Sequence, residues 1–226
     1  MAYFTQDYLK FFMELAANNN KDWFNANKKR YELSVKEPFE AFVSDVIAAA
    51  TKVDKQFDIP VKDAIFRIYK DVRFSKDKAP YKMHMSAVVS PGGRKEGMDI
   101  PGMYLQLGAE DFRFYSGLYM PDKDMLQRVR EYIVGHSDEL NEILKDKKFV
   151  RTFGELHGET NKVLPKELKV AAEKQPLIYN KQFYFFATYT PETIVKDGLV
   201  ELVMDNFAVS GPLREYLTKA SMKSMM

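Results

Sequence analysis

The sequence predicts an α+β fold with a mostly antiparallel sheet, and three features carry that prediction. Helical periodicity fills roughly the first fifty residues, and period-two alternation takes over between about residues 64 and 119. Helical spacing then returns after Pro121, with one aromatic strand inside it. Helices, a run of strands, then helices with a last strand is the order of segregated elements rather than of a βαβ repeat. No Gly/Ser-rich linker or internal repeat divides the 226 residues. A single domain, 1–226, is therefore expected, long enough to bury a core without disulfides or metals.

The elements follow in order. Thr5 caps a first helix whose apolar face is Tyr8, Phe11, Phe12 and Leu15. Asn18-Asn19-Asn20 breaks it, and Asn20 caps a second helix with Trp23, Asn27 and Tyr31 spaced four apart on one face. Pro38 fits the first turn of a third, which buries Phe39, Phe42, Val43, Val46, Ile47 and Ala50. Residues 64–74 alternate, with Phe66, Ile68, Val72 and Phe74 on one face and Arg67, Tyr69, Asp71 and Arg73 on the other. A second strand spans 82–90 before Pro91-Gly92-Gly93 turns the chain, and 103–107 with 112–119 make a hairpin. Asp122 caps a helix carrying Leu126, Val129 and Ile133, and Ser137 caps another. Residues 149–182 read as short helices mixed with loop, and 183–189 as a dense aromatic strand. Pro191 opens a helix through Phe207, and Pro212 a last one.

Composition excludes several classes. With no Cys there are no disulfides, thiolate nucleophiles or Cys-based metal sites. His84, His136 and His157 are scattered without ligand spacing, so no metal site is expected. No Gly-x-Ser-x-Gly or Walker loop occurs, and no cofactor is expected. The opening MAYFTQDYLKFF lacks the basic and apolar regions of a leader, and no apolar run is long enough to span a bilayer. A cytoplasmic location without membrane contact is the expectation. A net charge of only +2 argues against a dedicated DNA coat protein.

Charge is nevertheless concentrated. Residues 67–82 hold six basic and two acidic side chains, a local +4, which leaves the rest of the chain at −2. Such a cluster interleaved with Tyr and Phe points to an anion. Arg67, Tyr69, Arg73, Lys78, Tyr81 and Lys82 are the candidate ligand-binding residues. The simplest hairpin register sets Arg73 opposite Lys82, Asp71 opposite His84 and Tyr69 opposite Ser86. Asp71 would then orient His84 as an acid/base pair beside the cations, making these two the catalytic candidates. Ser75 and Asp77 suit turn formation, and the loop 75–81 can offer backbone donors and Lys78 to a phosphate. Trp23, Phe24, Asn27 and Tyr31 form an aromatic and amide patch, read either as core or, through Trp23, Asn27 and Tyr31, as a pocket wall.

Three strings, 18–28 (NNNKDWFNANK), Phe66–Lys82 and Gly117-Leu118-Tyr119-Met120-Pro121, together resemble the bacterial domain of unknown function 2461 family. The resemblance covers nearly the whole chain in order. It implies a single α+β domain of about this length and no particular activity. Its motif falls on Trp23, Phe24, Asn27 and Tyr31, then on Arg67, Asp71, Arg73 and the run Phe74–Lys82. Position 70 is Lys where the family carries Arg, which keeps charge but not bidentate geometry. Near the C-terminal half, Pro165-Lys166-Glu167 and Gln175-Pro176 depart from a family pattern that includes a His-Pro, so no mechanism here can use that His.

Three functions fit these residues. One is a pocket for a small phosphorylated or carboxylated ligand, built on Arg67, Arg73, Lys78 and Lys82 and oriented by Asp71, with or without catalysis. A second is a nucleic-acid surface using the same cations with Tyr69 and Tyr81 as stacking rings. The third is a structural or protein-interaction module in which the motif is an ion-paired scaffold. The mixed signs within the stretch favour the pocket, because Asp71 is poorly placed beneath a phosphate backbone.

Overall fold

A computed structural model of the chain describes residues 1–73, 76–96 and 100–222. It is an α+β fold around a five-stranded antiparallel sheet in the order β1-β2-β3-β4-β5, with helices at both termini. Helix α1 (Gln6–Ala17) starts at Thr5, whose side chain accepts from the Asp7 amide. Asn20 caps α2 (Lys21–Ala26) by accepting from the Trp23 amide. The expected continuous helix through Tyr31 is instead broken at Asn27. That residue caps α2 and leads into α3 (Lys28–Tyr31), a π-helical turn (Glu32–Lys36) and α4 (Glu37–Val53). Helix α4 buries the six residues its spacing predicts.

After α5 (Val61–Ala64), β1 is only Ile65–Phe66 and β2 is His84–Val89. Here the structure corrects the expected hairpin. Phe66, not Tyr69, lies opposite Ser86, and Ile65 opposite Ala87. Beyond Phe66 only a bridge from Tyr69 to Tyr81 continues the pairing. Three steps from Phe66 to Tyr69 face five from Tyr81 to Ser86, so the β2 side carries a two-residue bulge. Burial decides this register: Ile68 is 2% exposed and Tyr81 4%, with the Tyr81 ring stacked 4.0 Å from Phe24. Asp71 therefore never faces His84, which pairs with Gly108 instead. Phe74 and Ser75 lie outside the described residues.

A short helix α6 (Gly93–Glu96), not expected from sequence, follows the turn and precedes the expected hairpin of β3 (Met103–Gly108) and β4 (Phe112–Leu118). Helix α7 (Lys123–Gly135) is capped by Asp122. Helix α8 (Ser137–Lys145) has His136, not Ser137, at its cap, because the Ser137 hydroxyl donates back to the Ile133 carbonyl at 2.6 Å. Helices α9 (Lys147–Phe153) and α10 (Lys166–Lys174) occupy the mixed region before β5 (Phe183–Tyr189). The helix expected from Pro191 is split into a 3₁₀ turn (Pro191–Val195) and α11 (Leu199–Val209), because Gly198 adopts φ +83° between them. Helix α12 (Gly211–Ser221) ends the described chain.

The helices lie on one face of the sheet. Helices α4 and α5 contact β2, α12 contacts β4, and α9 contacts β5. Met85, Ala87, Leu105, Leu107, Phe112 and Phe114 point into this layer, as do Phe183 and Phe185, packed on Phe149 and Phe153. Alternation then commits the intervening residues of every strand to the opposite face, which the helices leave open. No helix among the described residues is long and apolar enough to cross a membrane.

Candidate anion-binding site

The basic stretch does not act as one patch. Arg73 pairs with Asp71 at 2.7 Å, and Lys70 with Asp77 at 2.6 Å, both near the surface. Lys78 donates to the Val72 carbonyl at 3.0 Å, and Asp77 accepts from the Ala79 amide, so these groups shape the loop. Tyr69 remains exposed, while Tyr81 is committed to the core. That leaves Arg67 and Lys82, and among the described residues neither has a carboxylate partner.

Lys82 reaches the open face of the sheet. Its ammonium lies 5.2 Å from the centre of the Phe66 ring, and the Arg94 guanidinium lies 5.8 Å from the same ring. Arg94 is anchored by backbone carbonyls of Asp63 and Lys62, not by a carboxylate. Burial, then the positive charges of Arg67 and Arg94, hold the pKa of Lys82 below its ordinary 10.5. Three cations converge at the β1 edge; Asp71 attracts Arg67 from a distance, but no described carboxylate forms an ion pair with any of the three.

Beside them, the open face forms a pocket of about 490 Å³. Ser86 and Val88 of β2, Tyr104 and Gln106 of β3, and Tyr115 and Gly117 of β4 line it, closed by Tyr119 and Tyr184. The rings form a row across the strands. Phe66 to Tyr104 is 6.0 Å, Tyr104 to Tyr115 is 5.8 Å, and Tyr115 to Phe186 is 5.3 Å. His157 stacks on Phe186 at 4.9 Å, and its segment pairs with β5 through Tyr184. Gly117, at φ +110°, lets β4 approach β5 closely. A methyl group there would sit 2.1 Å from the Phe183 carbonyl oxygen. Gly102 likewise leaves no room, since a Cβ would meet the Ser90 Cβ at 2.3 Å.

His84 opens the same strand as Ser86. Burial first, then the charge of Lys82, push its pKa from the ordinary 6.5 to about 4; Asp111 opposes the shift and Arg113 adds to it. The imidazole is thus neutral at pH 7. Arg113 is tied to Asp111 at 2.6 Å and donates to the Tyr115 hydroxyl at 3.1 Å, which fixes that ring.

Trp23, Asn27 and Tyr31 do not line this pocket. Trp23 and Tyr31 pack on Phe11, at 5.5 and 5.8 Å, and the Asn27 amide donates to the Trp23 carbonyl. They brace the helices beneath the sheet. Of the residues singled out by sequence, the structure brings together Arg67 and Lys82, with His84 two residues on at the start of β2. It separates these from Arg73, Lys78, Tyr69 and Tyr81. The tyrosines at 104, 115 and 184 were missed as site residues. Their signal was the aromatic character of strand positions whose alternation points away from the core, where a solvated face would carry polar residues.

A family model described as "Conserved hypothetical protein (DUF2461)" matches residues 7–216. The chain belongs to that family. Every pocket residue and the whole basic stretch fall inside the DUF2461 match. No curated protein and no solved structure matches the chain significantly. Among the described residues, no three His, Asp or Glu side chains gather as a metal ion would require.

Proposed function

We propose that this DUF2461 protein binds a small phosphorylated or carboxylated ligand on the open face of its sheet, with the anionic group held by Lys82, Arg67 and Arg94. One observation carries the reading: Lys82 and Arg94 meet over the Phe66 ring, with the charge of Arg67 felt at Lys82 and no described carboxylate ion-paired with them, at the rim of an aromatic pocket. Lys82 is half-buried without an ion-pair partner, and an unpaired charge away from water is costly, while Arg67 and Arg94 stand exposed beside it. An incoming anion removes that cost and the repulsion among the three, so binding is favoured by what the free protein leaves unsatisfied. The pocket next to the cations gives the rest of the ligand an apolar wall with a few polar groups, the usual composition of small-molecule sites.

Thermal shift tests this directly, using orthophosphate, citrate and ribose 5-phosphate on wild type and on an Arg67→Ala, Lys82→Met double variant. A ligand at a hundred times its Kd adds about 2.7 kcal/mol, a shift of roughly 5–10 °C for a chain of this size. A shift in wild type that disappears in the variant is expected. No shift with any anion, or an equal shift in both proteins, overturns the proposal.

A further inference from the structure

The geometry points to a nucleoside monophosphate as the ligand, its phosphate at Lys82, Arg67 and Arg94 and its base on the Tyr104–Tyr115 rings. This inference rests on the anion site proposed above and adds the chemistry of the ligand's other end.

Distance and composition along the sheet carry it. The cations gather over Phe66 on β1, whereas Tyr104 lies on β3 and Tyr115 on β4. From the Phe66 ring the aromatic row runs 6.0 Å to Tyr104 and a further 5.8 Å to Tyr115. An aromatic carboxylate, whose charge sits directly on its ring, covers only the Phe66–Tyr104 end of that row and leaves Tyr115 bare. A sugar phosphate reaches the cations but leaves the row of rings uncovered. A base, a pentose and a phosphate in series match the order of surfaces: rings, then polar groups, then cations. The polar groups in between are the Ser86 hydroxyl and the Gln106 amide, adjacent across β2 and β3. Tyr104 and Tyr115 meet edge to face at 69°, which leaves the face of one ring open for stacking while the other buttresses it. Arg113 holds the Tyr115 hydroxyl, so that ring is positioned before any ligand arrives.

A single-stranded nucleic acid needs cations repeated along its track. Here they lie at one end only. Lys82 is the one charged side chain among the described residues lining the pocket, and Arg113, which holds Tyr115, is already ion-paired with Asp111. One nucleotide fits that asymmetry; a chain of them does not.

Isothermal titration calorimetry on the full chain separates the outcomes, with AMP, UMP, ribose 5-phosphate, adenosine and a short single-stranded oligonucleotide as probes. Base–aromatic stacking predicts that the tighter of AMP and UMP binds about 5- to 150-fold better than ribose 5-phosphate. Tyr104→Leu should abolish most of that advantage, lowering the affinity of the nucleotide by more than that of ribose 5-phosphate. Because the ligand comparison needs no variant, a misfolded Tyr104→Leu protein does not blunt the test. Equal affinity for AMP, UMP and ribose 5-phosphate overturns the nucleotide assignment and leaves the anion site standing. Adenosine binding as tightly as AMP, or no phosphate compound binding at all, overturns both. Affinity that climbs with oligonucleotide length overturns the assignment in favour of a nucleic-acid surface.

Discussion

Acidification from pH 7.5 to 5 should destabilise this protein by about 2 kcal/mol through His84 alone. The imidazole is held neutral chiefly by its burial at the start of β2, with Lys82 and Arg113 also opposing its protonation and Asp111 favouring it. Its pKa falls from the ordinary 6.5 to about 4 on folding. The unfolded chain therefore takes up a proton near pH 6.5 that the folded protein refuses until near pH 4. Stability contributed by the neutral histidine is fully present above pH 6.5 and is lost as pH falls through that window. The full shift corresponds to about 3 kcal/mol, of which about 2 has been lost at pH 5. Carboxylates held low by cations, such as Asp7 under Arg30, lose their contribution only below about pH 4 and do not confuse the measurement. Urea unfolding of wild type and His84→Gln at both pH values reads the difference. The variant should lose about 2 kcal/mol less than wild type between them. Equal losses in the two proteins, or an NMR titration of His84 with a midpoint near 6.5, would refute the reasoning.

Lys82→Met, which keeps the stem on Phe66 but removes the charge, should leave the free protein as stable as wild type or up to about 1 kcal/mol more stable in thermal denaturation. Anion affinity should fall at alkaline pH, at a lower pH than an ordinary lysine would give, because burial and the neighbouring cations lower the pKa of Lys82; Lys82→Arg should keep calorimetric affinity to higher pH. Gly117→Ala combines a positive φ with a Cβ 2.1 Å from a carbonyl oxygen and should cost at least about 3 kcal/mol by urea unfolding. Arg130 is 5% exposed, donates to the Asn180 carbonyl at 3.1 Å and has no described partner for its Nε. Arg130→Met should therefore fall within about 1 kcal/mol of wild type in the same assay, despite its burial.

Much of the fold was legible because local chemistry and periodicity agreed. Thr5, Asn20 and Asp122 cap the helices their positions suggest, and the buried stripe of α4 is the one its spacing marks. What sequence reading misplaced was non-local. The 64–74 alternation looks like a strand, yet pairing there depends on whether Ile68 and Tyr81 can reach Phe24 and the core, which spacing along one segment does not reveal. That single competition shifted the register, parted Asp71 from His84 and turned Lys82 toward Phe66. For the site, charge clustering found Arg67 and Lys82 but could not tell them from Arg73 and Lys70, whose acids lie two and seven residues away. Arg94 escaped notice because its approach to Phe66 is made through α6, remote from the basic stretch.

The most direct test of the anion site is a ¹H–¹⁵N and side-chain NMR titration with AMP and with orthophosphate. Both ligands should shift Lys82, Arg67 and Phe66, AMP should add Tyr104, Gln106 and Gly117, and Arg73 and Lys78 should stay unmoved. Shifts centred on Arg73 and Lys78, with the open face of the sheet silent, would contradict this placement of the anion site.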